Sequence, residues 1–242
     1  MTHLLWTRWC PIPAAHRRSK LKLQDTLDAF TADLINSGKI PGPIVTQLMD
    51  GIKEQIASGK ADGALVAGET APTFTLKDPA GASVSSATLL ARGPLVVSFY
   101  RGVWCPYCNL ELQALEAARA DIEARGASLV AISMQNAANS RKSVRENELR
   151  FPILIDAGGD IAAEFGLRYR LSPQMIELNK ALGNNLEVIN SEDSWSLPMP
   201  GRYVIGQDGI IAYAEVNPDY THRPDPSDLF PILDQLARAR AA

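Results

Sequence analysis

Cysteine is scarce in this 242-residue chain: there are three, Cys10, Cys105 and Cys108. So few thiols in so long a chain exclude the bridged framework of a small secreted domain, and two of them only three residues apart read as redox-active. Histidine is equally scarce. His3, His16 and His222 lie outside every motif, and none is close in sequence to the Cys105/Cys108 pair, which argues against a zinc site. Excess charge is small: 24 Lys and Arg against 27 Asp and Glu give a net charge of −3. No basic surface for nucleic acid follows from that balance. Long apolar runs are missing too, and nothing approaches the roughly 20 residues that span a bilayer. A protein that binds neither nucleic acid nor membrane, in the cytoplasm, is the expectation.

What is present is a globular composition, 46% hydrophobic and 21% charged, with enough chain for one substantial domain and an extension. Its most informative stretch is Phe99-Tyr100-Arg101-Gly102-Val103-Trp104-Cys105-Pro106-Tyr107-Cys108. An apolar strand pattern, 95–100, runs into it. A helix pattern starting at Pro106, the favoured first helical residue, runs out of it. Two thiols therefore stand where a strand ends and a helix begins. Unpaired backbone N–H groups and the helix dipole favour a thiolate there, and the thiolate is the reactive form.

Along the chain, residues 1–20 have no period and read as a disordered leader without the apolar core of a signal peptide. Residues 21–60 form a helical extension. One helix is predicted over 21–37, with Leu23, Leu27, Phe30, Leu34 and Ile35 on a stripe, and a second over 43–58, aligning Ile44, Leu48, Ile52 and Ile56. These stripes must dock on the main domain or on a second copy in a homodimer. Residues 61–242 carry a hairpin around 77–81 and strands near 94–100, 128–134 and 152–155. Helices are expected at 106–125, 137–149, 160–166 and 173–183, then a closing hairpin, 203–205 with 210–213, and a last helix at 227–239. Such alternation gives right-handed βαβ units, an α/β protein with a central mixed sheet flanked by helices.

Three segments carry a family likeness. Residues 67–76 (Ala-Gly-Glu-Thr-Ala-Pro-Thr-Phe-Thr-Leu), 151–167 (from Phe-Pro-Ile-Leu-Ile-Asp to Phe-Gly-Leu) and 202–209 (Arg-Tyr-Val-Ile to Asp-Gly) resemble the opening, middle and closing signatures of peroxiredoxins. The order of elements resembles the thioredoxin fold. The chain is similar to the AhpC/TSA-type, peroxiredoxin-like proteins that keep a Cys-x-x-Cys, over roughly 62–240. In the resemblance, Cys108 falls on the peroxidatic cysteine and Glu111 on the family glutamate. Cys105 replaces the threonine that hydrogen-bonds peroxide, and Arg101 replaces a proline. Pro200 replaces the catalytic arginine and matches the cis-proline that thioredoxins set against their cysteines.

The resemblance implies a thiol–disulfide oxidoreductase or antioxidant that cycles Cys105 and Cys108 between dithiol and disulfide. Its substrate would be a disulfide or a hydroperoxide and its reductant thioredoxin, glutaredoxin or glutathione, with no metal or organic cofactor. Which sulfur attacks stays open: Cys105 by thioredoxin logic, Cys108 by peroxiredoxin logic. Losing the threonine and the arginine removes groups that polarise the O–O bond, which turns the expectation toward dithiol exchange, with peroxide reduction the alternative. A non-catalytic redox-sensing domain is the third reading. Trp104, Pro106, Tyr107, Glu111 and Pro200 are supporting residues. Arg101 and Arg202 are candidate replacements for the lost arginine, or charges at the rim.

Overall fold

The computed structural model describes residues 22–241. The leader, with Cys10, His3 and His16, lies outside the described residues. Three parallel strands form the centre: β3 (Leu95–Phe99), β4 (Ser128–Ser133) and β5 (Ile153–Ile155). Two antiparallel hairpins extend it at either edge, β1 (Thr75–Lys77) with β2 (Ser83–Ser85) and β8 (Gly201–Ile205) with β9 (Ile211–Val216). The resulting seven-stranded order is β2-β1-β5-β4-β3-β8-β9. A separate two-stranded ribbon pairs β6 (Arg168–Arg170) with β7 (Ser196–Pro198).

Every residue of β3 is buried, because helices cover both faces of the sheet. Its side chains alternate between two cores. Leu95, Val97 and Phe99 join Val130, Ile132, Phe165 and Tyr203 on one face, while Val96 joins Leu112, Leu115, Ala131 and Val204 on the other. That second core lies under the long helix Pro106–Ala124 and contains both cysteines.

The two extension helices, α1 (Leu23–Asn36) and α2 (Gly42–Ala57), dock on this same chain. Leu23 and Leu27 belong to the cluster that holds Cys105 and Cys108. Asp225 of the main domain accepts the Leu23 N–H at 3.0 Å and so satisfies one unpaired donor of α1. In α2, Gly51 leaves room for a neighbour: a Cβ there would lie 2.4 Å from the Met175 sulfur. The stripes are narrower than their periodicity predicts, for Ile35 and Ile56 at the far ends are half exposed. The irregular region 168–199 holds the β6–β7 ribbon and a short helix, Leu186–Asn190, that the sequence pattern did not announce. The helix predicted over 137–149 ends at Glu146.

Candidate active site at the start of the long helix

Strand β3 delivers the chain to Tyr100, and residues 101–105 turn it into the helix Pro106–Ala124, here α4. Three side chains hold this turn. The Gln135 carbonyl oxygen accepts the Val103 N–H at 3.0 Å, and the Gln135 amide donates to the Tyr100 hydroxyl and to Ser143 Oγ, each at 2.7 Å. Asn109, one turn into α4, donates to the Val103 carbonyl at 2.7 Å. Gly102 has φ +149° and a Cβ there would fall 2.5 Å from Trp104 Nε1, so the indole packs over bare backbone.

Cys105 is the N-cap of α4 and Pro106 its first residue. Both cysteines are free thiols and both are buried, Cys105 at 2% exposure and Cys108 at 0%. Their acidities part company. Burial pushes the Cys105 thiol up, but its hydrogen bond with Cys108 and the charges of Arg101 and Arg223 outweigh that and bring it down to about 6. Burial, then the hydrogen bond and charge of Cys105, hold Cys108 well above its ordinary value. One proton shared over two sulfurs favours ionisation of the N-cap sulfur, where the helix dipole adds its own attraction.

Arg101 is buried, not at the rim, with 4% exposure. Its Nη1 lies 3.9 Å from Cys105 Sγ. The guanidinium is sandwiched by aromatic faces, 4.7 Å from the Trp104 ring centre and 4.0 Å from that of Tyr220, which offsets part of its lost hydration. Arg202 is also buried, at 1%, and it too corrects the rim expectation. It reaches across from β8 under α4, donating to Glu111 Oε1 at 2.8 Å and to the Pro224 carbonyl at 3.0 Å. Arg223 donates from Nε to the other carboxylate oxygen, Oε2, at 2.8 Å. Glu111 is thus a buried bridge between two arginines, three residues after Cys108 on the same helix. The patterned segments did not reveal Arg223, which lies 112 residues from Glu111 in a loop.

Tyr107 is buried against the extension, its hydroxyl 3.0 Å from Thr31 Oγ1 and its ring edge-on to Phe30 at 5.1 Å. Pro200 is buried just before β8, whose Gly201 pairs with Phe99, so it stands at the thiol end of the sheet. The expected cis bond is absent: no peptide among the described residues is cis. The space beside Cys105 is a narrow apolar cleft of about 60 Å³ walled by Phe30, Leu34, Leu48, Trp104 and Met175.

A strand, a Cys-x-x-Cys at the start of a helix and a closing antiparallel hairpin define a thioredoxin-like fold with a dithiol site. Residues 67–214 match the AhpC/TSA family, and the chain belongs to that family. A chloroplastic peroxiredoxin Q of Oryza sativa subsp. japonica is 31% identical over 105 residues, 43% of this chain and 48% of that protein. The thiol-disulfide oxidoreductase ResA of Bacillus thuringiensis subsp. konkukian (strain 97-27) is 26% identical over 101 residues, 41% of this chain and 57% of that one. The matched stretch spans about half of each relative. In structure, the chain is similar to peroxidoxin BcpB from Mycobacterium tuberculosis, with a TM-score of 0.56 and 22% identity, covering 72% of this chain and 97% of that one.

Proposed function

We propose that the protein is a thiol–disulfide oxidoreductase in which Cys105 attacks and Cys108 resolves. The placement of the two sulfurs carries this reading: Cys105 caps α4, lies 3.9 Å from Arg101 Nη1 and lines the apolar cleft, whereas Cys108 is fully buried and does not line it. Their acidities run the same way, Cys105 lowered and Cys108 raised. An attacking thiol with a pKa near ambient pH combines a high thiolate fraction with good nucleophilicity. The Cys105 thiolate attacks a substrate disulfide and one substrate sulfur leaves as thiolate. Cys108, losing its proton as it attacks, then displaces the second substrate sulfur and closes the Cys105–Cys108 disulfide. Arg101 stabilises the Cys105 thiolate before it attacks and again when the reduced site is regenerated. A reducing compartment such as the cytoplasm suits the cycle.

Peroxide reduction at Cys108 is the second reading, favoured by the match of residues 67–214 to the AhpC/TSA family. Cys108→Ser mixed with glutathione disulfide should trap a mixed disulfide on Cys105, detected by mass, and Cys105→Ser should trap none on Cys108. A sulfenic acid accumulating on Cys108 of Cys105→Ser after limiting hydrogen peroxide, faster than on a free thiol, would establish the peroxidase instead.

A further inference from the structure

Arg101 borders two cavities. One is the apolar cleft at Cys105; the other, of about 200 Å³, mixes charged and apolar walls and lies between α2 and the segment 169–175. Arg101, Met175 and Tyr220 line both, so a wall one side chain thick separates them. Met175 is the adaptable part of that wall, an unbranched thioether resting on Gly51.

Two donors lining this second cleft have no hydrogen-bond partner among the described residues. Arg101 Nε is buried without a hydrogen-bond acceptor, and so is Gln55 Nε2 of α2. Arg170 and Lys60 add positive charge at the cleft's edge. The one carboxylate lining it, Glu54, accepts from the Ser172 hydroxyl at 2.8 Å and keeps its negative charge, which Lys60, Arg101 and Arg170 outnumber. Buried donors without acceptors are costly, and a carboxylate is the acceptor that a guanidinium and an amide lining one cleft would hold best.

The apolar cleft limits what else the ligand can be. About 60 Å³ is roughly the room of two waters, enough for a methylene and its sulfur. Phe30, Leu34 and Leu48 of the extension wall that cleft beside Cys105, so a small thiol fits there more readily than one carried on a folded protein.

We infer that the cleft between α2 and residues 169–175 seats the carboxylate of a low-molecular-weight thiol, the reductant that returns the disulfide to dithiol. This rests on the dithiol cycle proposed above. The small thiolate attacks Cys105, a bond forms between its sulfur and Sγ of Cys105, and the Cys105–Cys108 bond breaks, with Cys108 leaving and taking up a proton. A second thiolate attacks the bound sulfur and releases Cys105 as thiolate. Two small thiols are oxidised to one disulfide and the protein disulfide gains two electrons.

The test compares 3-mercaptopropionate with 2-mercaptoethanol, thiols of similar size with and without a carboxylate. The oxidised full-length protein is mixed with each, quenched with acid and weighed. Rates are referred to thiolate concentration and to the same reaction with a small free disulfide. The acid is expected to react about tenfold faster on the wild type. Gln55→Leu and Arg170→Gln, each confirmed folded by circular dichroism, should cut that preference at least about threefold. No preference in the wild type, or one unchanged in both variants, overturns the carboxylate seat while leaving the dithiol cycle intact. Failure of both thiols to reduce the protein overturns the cycle itself and the seat with it.

Discussion

Buried arginine stands on two sides of the cysteine pair, and the two sides are neutralised differently. Under α4, Arg202 and Arg223 share one carboxylate, Glu111, through hydrogen bonds of 2.8 Å each. At the turn, Arg101 has aromatic faces on either side and the Cys105 sulfur 3.9 Å from Nη1. The first arrangement sets two positive charges against one carboxylate and ties β8, α4 and the loop after β9 together. The second leaves its charge directed at a sulfur. Burial of a guanidinium therefore says nothing by itself about role; its counter-ion decides.

The contrast breaks most visibly at Glu111. Glu111→Gln leaves two buried guanidinium groups without a carboxylate and should destabilise the fold by about 3–5 kcal/mol in urea unfolding. Arg101→Met removes a cation that no carboxylate among the described residues partners, so the same measurement should change by less than about 1.5 kcal/mol.

The titration of the thiols gives the next effect. Cys105 is ionised in the fold from about pH 6 upward, whereas its ordinary value is 9.0. Between those values the unfolded chain binds the extra proton, so the reduced protein gains stability as pH rises, with a slope of up to about 1.4 kcal/mol per pH unit. Below about 6 that contribution is gone. Above 9.0 the sign reverses, because Cys108 stays protonated in the fold while the unfolded thiol ionises. Urea unfolding of the reduced protein at intervals from pH 5.5 to 8.5 measures the slope, and Cys105→Ser should abolish it.

Arg101→Met should raise the Cys105 pKa by about one unit and slow its alkylation at pH 6 about tenfold or less. Glu111→Gln should leave that rate nearer to wild type, since Arg223 lowers the Cys105 pKa less than Arg101 does. The smallest effect belongs to the extension. Tyr107→Phe removes the hydrogen bond to Thr31 and should cost about 1 kcal/mol in unfolding, with no change in the alkylation midpoint beyond about 0.3 units.

Much of this architecture was legible in the chain. The strand 95–99 and the helix from Pro106 stand out because their apolar periods are long and their boundary holds a proline at the first helical position. Glu111 could be set on the face of Cys108 from its spacing alone. Long-range partners were not legible. Gln135 meets Val103 across 32 residues, and Arg223 meets Glu111 across 112, joined only by tertiary folding. Arg101 and Arg202 were visible as candidates but read as rim charges, since arginine is rarely buried unless paired. The strands Arg168–Arg170 and Ser196–Pro198 are three residues each, too short to show a period.

The account stands on Cys105, and not Cys108, being the thiolate. Alkylation of the reduced wild type by iodoacetamide from pH 4.5 to 9, with each cysteine quantified by peptide mass, tests that directly. The prediction is a Cys105 profile with its midpoint near 6 and a Cys108 that stays unmodified throughout. A Cys108 that alkylates first, with the lower midpoint, would contradict it.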